Sequence, residues 1–308
     1  MLVRNPPVAV TDNLFMLGTS EYPVFLFKGD REGAIFEGGV SAVGPLVREQ
    51  MRQLSLPAEA VKQVIVTHAH PDHVMAVPFF RGMFPGIRVV ASEKAAATMG
   101  AEKAIAFFCG VDQMLGQSLQ KAGLLGQQDL PGPPAEKRIA VDHTVKEGDE
   151  IHVDGAIFKV LETPGHSECS LSFFEPVERI LIISDATGYY MPQEGSWWPN
   201  YFSGYRDYMR SIERLAGLGA EVLCLSHNAA IEGADDVAGY FRDALAATHE
   251  YHQRIIAEAK AGKPARQIAE VLGAEIHAKA PLLPLDFFQK NCWLLVKLSL
   301  KHEGIEAK

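Results

Sequence analysis

The chain has 308 residues, 47% hydrophobic and 22% charged, with a net charge of −9. That balance excludes a disordered chain and supports a sizeable core, in one large α/β domain or two smaller ones. An acidic chain with scattered Lys and Arg lacks the basic footprint of nucleic-acid processing, so no nucleic-acid partner is expected.

No apolar run reaches the ~18–20 residues of a membrane span, so no membrane partner is expected. The first fifteen residues carry two prolines and no long apolar stretch, which predicts no secretory signal. The four cysteines, Cys109, Cys169, Cys224 and Cys292, form no Cys-x-x-Cys pair. Such usage points to a reducing, cytoplasmic setting.

Short apolar runs separated by turns predict strands at Leu14–Leu17, Pro23–Phe27 and Ala34–Glu37, with Gly38 and Gly39 ending the third. A helix is expected from Val43 to Leu54, and Pro57 starts a short new one. Gln63–Thr67 is β-branched and apolar, as a buried parallel strand should be. A short helix near Val74–Met83 and a strand at Arg88–Ala91 follow. Ala95–Leu125 reads as helix, with Ile105, Phe108, Leu115 and Leu119 on one face. The proline-rich stretch 130–134 breaks it.

Strands return at His143–Val145, Ile151–Val153, Ile157–Leu161, Leu171–Phe174 and Ile180–Ser184, with Asp154-Gly155 as a hairpin signal. Tyr205–Leu218 reads as helix and Glu221–Leu225 as a last buried strand. Everything after Ala234 reads as helix, in segments Asp235–Ala261, Ala265–Leu272 and Leu285–His302. Strands with interspersed helices, twice over, suit a two-sheet α/β sandwich.

Three of the 11 histidines fall in the run Thr67-His68-Ala69-His70-Pro71-Asp72-His73, directly after a buried strand. Imidazole and carboxylate donors suit zinc, iron or manganese. His68, His70, Asp72 and His73 are too crowded for one ion, and alternate residues can face two ions ~3.5–4 Å apart. Further donors end other apolar strands: His166 after Phe158–Leu161, Asp185 after Ile180–Ser184, and His227 after Val222–Ser226. Such residues would meet if all these strand ends share one rim.

This order of His-x-His-x-Asp-His, Thr163-Pro-Gly-His-Ser167, Ser184-Asp185 and Ser226-His227 resembles the metallo-β-lactamase superfamily, from about Leu14 to Gly233. The resemblance implies an αββα four-layer sandwich over residues 1–233, with a helical insertion near 95–130. Residues 234–308 would be a helical extension packing on that core. It also implies two divalent metal ions: His68, His70 and His166 on one, Asp72, His73 and His227 on the other, and Asp185 bridging. Zinc is the first expectation; iron or manganese would also suit these ligands.

The family motif usually continues with a Gly pair or Gly-Ala, where this chain has Val74-Met75-Ala76. The pairing of Asp72 with His73 and the missing signal argue against antibiotic hydrolysis. His70, where the flavodiiron branch carries Glu, argues against that branch, as does the lack of a flavodoxin domain. The segments Tyr22–Phe27 and Phe36–Gly39 are similar to the quinolone-signal response branch, a thioesterase-like relative with a helical C-terminus.

The expected reaction is hydrolysis of an ester-type carbonyl in a small molecule, a thioester or lactone ahead of a phosphodiester. Water activated between the cations would attack, and Asp72 would relay a proton to the leaving group. Tyr189 and Tyr190 follow Asp185 and are candidates to donate to a substrate oxygen, against ordinary packing. Residues 195–202 put four aromatics in eight positions, lining a pocket or an oligomer contact. The apolar stretches 104–125 and 287–296 suit core packing, a homodimer interface or a lid. His249 and His252, spaced i, i+3 on the tail helix, read as a solvated face, and His302 has no evident partner. The competing readings are a regulatory, partner-binding protein on the same scaffold and an iron redox enzyme, which would need an electron-donor site.

Overall fold

The computed structural model describes residues 1–126, 130, 132 and 136–306. Most of the proline-rich break expected at 130–134 lies outside the described residues. The chain divides into two compact units that interleave along the sequence. The first holds Met1–Glu162, Cys169–Ser184 and Ala220–Val237; the second holds Thr163–Glu168, Asp185–Gly219 and Ala238–Lys308.

In chain order the elements begin with β1 (Leu2–Val3), β2 (Val8–Ala9), β3 (Leu14–Gly18), β4 (Pro23–Lys28), β5 (Gly33–Phe36) and α1 (Val43–Gln53). Next come β6 (Val61–Ile65), α2 (Pro71–Val74), α3 (Val77–Met83), β7 (Arg88–Ser92), α4 (Glu93–Met99), α5 (Glu102–Lys121) and β8 (His143–Val145). Then follow β9 (Glu150–Val153), β10 (Ala156–Glu162), β11 (Leu171–Glu175), β12 (Ile180–Ile182), β13 (Tyr189–Met191) and β14 (Ser196–Trp198). The chain closes with α6 (Tyr205–Ala216), β15 (Val222–Cys224), β16 (Ala230–Glu232), α7 (Ala234–Lys260), α8 (Ala265–Lys279) and α9 (Leu285–His302).

The first unit contains two seven-stranded mixed sheets, ordered β2-β3-β4-β5-β6-β7-β8 and β1-β16-β15-β12-β11-β10-β9. Their inner faces share one core. Phe27 and Phe36 of one sheet meet Phe158 of the other, with ring centroids 5.1 and 4.7 Å apart, and Phe36 meets Phe173 at 5.4 Å. Each such ring, fully buried, contributes on the order of 2–3 kcal/mol. The apolar run Pro23–Phe27 is buried at every position, so both faces of β4 are covered. Helix α1 packs against β3 and α4 against β7.

The short helix expected from Pro57 is a single 3-10 turn over Ala58–Ala60. The helix expected over Ala95–Leu125 is two helices, parted at Gly100 and Ala101. The first starts as soon as β7 ends, because the Ser92 hydroxyl accepts from the Ala95 N–H and caps it. The face read from Ile105, Phe108, Leu115 and Leu119 is the buried one. Strands β1, β2, β13, β14 and β16 were not expected. Each has only two or three residues, too short for alternation to register.

The second unit holds the β13–β14 hairpin, α6, most of α7, and the α8–α9 pair. Helix α8 runs to Lys279, past the expected end at Leu272, across a glycine that a packed helix tolerates. Among the described residues no helix is long and apolar enough to cross a membrane.

Candidate metal centre

Strand ends assemble the histidines of the first unit. β12 and β15 are parallel neighbours, so Ser184 and His227 leave the sheet from the same edge. β10 ends at that edge too, since Glu162 pairs with Leu171 at the start of β11. The Leu171 N–H donates to the Thr67 carbonyl at 2.8 Å, which brings the end of β6, in the other sheet, to the same place. His68 to His73 follow immediately. Pro71 occupies the first turn of α2, where its missing N–H costs nothing, and His70 stands at the cap position before it.

Asp72, His73 and His227 each offer a ligand atom within 4.8 Å of the others. The Asp72 Oδ2 stands 3.4 Å from His73 Nε2 and 3.7 Å from His227 Nε2. His68 Nε2 faces His70 Nδ1 at 3.0 Å, and the His68 and His73 rings lie 4.0 Å apart. His68, His73 and His227 are buried, while Asp72 and His70 are partly open.

The opposite nitrogens of these rings are spoken for. His73 Nδ1 donates to Glu37 Oε2 at 2.9 Å, and His227 Nδ1 donates to the Glu21 carbonyl at 2.7 Å. His68 Nδ1 meets the Ser184 hydroxyl at 2.8 Å. Such bonds fix the tautomer and turn Nε2 toward the cluster. Three imidazoles presenting Nε2, beside a carboxylate, form a set that suits a divalent cation.

Glu37 is the residue the sequence reading missed. Its carboxylate is buried and also accepts from Thr67 Oγ1 at 2.8 Å and Ser226 Oγ at 3.1 Å. It adopts φ of 80°, unusual for a residue with a side chain. A charged residue between a buried strand and two glycines is the signal that could have found it. Gly38 is required there: an added Cβ would sit 2.5 Å from the His73 carbonyl, whose oxygen accepts from the Gly38 N–H. Val74, Met75 and Ala76, the departure from the family motif, are buried, and Ala76 N–H donates back to Gly38 and Gly39. Nearby, buried Asp112 accepts from Ser41 N–H at 2.8 Å, and burial pushes its carboxyl above the usual range.

In the second unit His166 Nε2 faces Asp185 Oδ2 at 3.3 Å, both side chains being buried. His166 Nδ1 donates to the Asn200 carbonyl at 2.8 Å, the same arrangement as for His73 and His227. Gly165, with φ of 129°, lets the chain pass the Tyr208 backbone; an added Cβ would lie 2.2 Å from the Tyr208 Cα. Asp185 begins a turn closed by its own carbonyl and the Gly188 N–H.

Tyr189 and Tyr190 alternate on β13, so they face opposite sides of the hairpin. The Tyr190 ring packs on Trp197 at 4.5 Å and on Tyr240 at 5.3 Å. Tyr240 in turn shares a hydrogen bond with the Thr187 hydroxyl, and burial pushes its phenol up, so it stays protonated. Within the aromatic run, Trp198 packs on Phe288 at 5.4 Å and Tyr201 is fully buried with its hydroxyl on Ser299 at 2.8 Å.

The family profile described as the Metallo-beta-lactamase superfamily matches residues 19–227. The chain belongs to the metallo-beta-lactamase superfamily. Solved structures agree on the fold. A metallo-beta-lactamase family protein from Thermus thermophilus aligns with TM-score 0.65 and 21% identity, over 96% of this chain and 95% of that one. A mutant metallo-beta-lactamase from Cronobacter sakazakii aligns with TM-score 0.59 and 20% identity, over 83% and 98%. The expected sandwich with C-terminal helices is thus the observed architecture.

Curated relatives match more narrowly. Hydroxyacylglutathione hydrolase of Stenotrophomonas maltophilia is 25% identical over 114 residues, 37% of this chain. Beta-lactamase-like protein 2 homolog of Caenorhabditis elegans is 32% identical over 90 residues, 29% of this chain. The chain covers 28% of the length of each. Members of this superfamily are mostly hydrolases and typically bind divalent metals, in keeping with the histidine and aspartate clusters described above.

Proposed function

We propose that this metallo-beta-lactamase superfamily member is a dinuclear metal-dependent hydrolase of ester-type bonds, acting first on thioesters and second on lactones. The observation that carries the reading is the shared orientation of His73, His227 and His166. Each has its Nδ1 committed to a carboxylate or carbonyl and its Nε2 next to an aspartate. On this reading His68, His70 and His166 hold one cation, Asp72, His73 and His227 hold the other, and Asp185 bridges. Zinc is the first cation to test. Cations bound there supply Lewis acidity toward a carbonyl oxygen.

The remaining chemistry belongs to the chain's own groups. Asp72 is the most open of the acidic donors, with 23% of its side chain exposed, so a proton can pass between it and a departing group. Glu37, buried behind His73, keeps that imidazole aimed forward. The weak similarity to hydroxyacylglutathione hydrolase supports the thioester as first substrate class. The four cysteines, which form no disulfide among the described residues, suit a reducing cytosol.

The test combines a metal count with a substrate screen. Protein purified without added metal or chelator should carry about two ions per chain at these residues, as expected for a two-metal site. It should hydrolyse S-acyl thioesters, and a chelator should abolish the rate. Asp72→Ala should lower kcat by about 10³-fold, within the range for removing an acid–base group. Metal-loaded protein that cleaves no thioester or lactone would overturn the proposal.

A further inference from the structure

A second group of metal donors lies in the C-terminal helices and shares no residue with the proposed reaction. His252 of α7, His302 of α9 and Glu303 just beyond it each offer a ligand atom within 4.8 Å of the others. Glu303 Oε1 is the centre of the group. It stands 3.2 Å from His252 Nε2 and 3.9 Å from His302 Nε2. Donors ~2.0–2.1 Å from a tetrahedral zinc ion lie about 3.3–3.5 Å from one another, close to these separations.

The two rings are braced for that geometry. The Tyr205 ring stacks flat on His252, with centroids 3.9 Å apart and planes 12° apart. The same tyrosine meets the His302 ring edge-on at 5.0 Å. The two imidazoles stand 77° apart, so they do not stack on one another. The His252 side chain is only 1% exposed, which corrects the expectation that it lies on a solvated face; its neighbour His249 is exposed as expected. His302 and Glu303 are 26% and 37% exposed, which leaves the site open to an ion and to a completing water on one side. A rigid aromatic support behind two imidazoles and a carboxylate is the arrangement that pre-forms a binding site.

We propose that His252, His302 and Glu303 form a separate site for one divalent transition-metal ion, zinc by the chemistry of its donors, which ties the end of α9 to the middle of α7. The site is structural or regulatory in kind: its occupancy favours the folded helices by mass action.

The full chain is loaded with zinc, freed of excess by gel filtration, and its zinc counted per chain beside the double variant His302→Gln, Glu303→Gln. The variant should retain one ion fewer, and its melting temperature should respond less to zinc. Its hydrolytic rate should match the parent, because neither residue belongs to the proposed reaction. The count separates this proposal from the one above: the difference between the two proteins reads the C-terminal site, and the zinc left in the variant reads the centre at the strand ends. Equal counts in parent and variant overturn the C-terminal site whatever the remaining number is. If the double variant melts below the assay temperature, Glu303→Gln alone, which keeps the size of the side chain, goes through the same count with the same two outcomes.

Discussion

In the first unit His73 and His227 commit Nδ1 to a buried carboxylate and a backbone carbonyl, and their Nε2 atoms flank Asp72. In the C-terminal helices His252 and His302 are braced by the face and the edge of one tyrosine ring, and both Nε2 atoms turn to Glu303. Hydrogen bonds fix both the tautomer and the aim of a ring, whereas aromatic packing fixes only its plane. The strand-end rings are therefore set from behind, through Nδ1, with Nε2 turned to the cluster; in the helical pair His252 Nε2 itself donates to Glu303 Oε1 at 3.2 Å, a bond that an ion held there would replace. The first arrangement suits chemistry that must repeat, and the second suits a tie that forms or releases.

The largest expected effect falls at the turn that carries His166. Gly165→Ala puts a Cβ against the Tyr208 backbone at a φ that L residues avoid. Strain and overpacking together should cost about 3 kcal/mol or more, read by chemical denaturation. A variant as stable as the parent would show that His166 is not held by this close approach.

Glu37→Gln tests the pre-set aim itself. The amide keeps the shape and loses the charge that His73 Nδ1 faces. Metal affinity at the strand-end centre should fall by about 10–100-fold, as for other outer partners of ligating histidines. Zinc held by His252, His302 and Glu303 should be untouched. A loss at both places would erase the contrast between the clusters.

The smallest effect concerns the helix that carries His252. Arg254, just beyond that histidine on α7, grips Glu275 of α8 through two bonds of 2.7 Å. That guanidinium holds the Glu275 carboxyl below the usual carboxylate range. A lowered folded-state pKa contributes stability above the ordinary value and loses it as pH falls through the lowered one. Arg254→Ala should cost about 0.5 kcal/mol at neutral pH, because the pair is partly solvated. The gap between parent and variant in thermal melts should close below about pH 4. A gap that persists in acid would assign the loss to packing of the arginine stem instead.

Much of the candidate centre was legible because its donors are local in sequence or end obvious strands. Four donors fall within Thr67–His73, and buried strands announce themselves by apolar, β-branched runs such as Gln63–Thr67. Glu37 was not legible as a partner of His73, since a lone acid beside two glycines carries no period and its role depends on a contact across 36 residues. The same holds for His252 and His302, which meet although the whole of α8 separates them in sequence. Helical spacing placed His249 and His252 on one face, but the Tyr205 ring and Glu303 beyond the end of α9 cover His252 and leave His249 exposed.

Sequence alone determined the strand-rich first part, the helical tail after Ala234, and the identity of the donors that end the strands. Those features follow from local hydrophobic pattern and residue chemistry, which act within a few positions. Tertiary structure alone decided which ring nitrogen each histidine presents, where the two sheets bring their ends to a shared edge, and that Tyr205 stands behind a second histidine pair. Those outcomes depend on side chains far apart in sequence meeting in a packed interior, where burial and hydrogen bonding, not local propensity, select the arrangement.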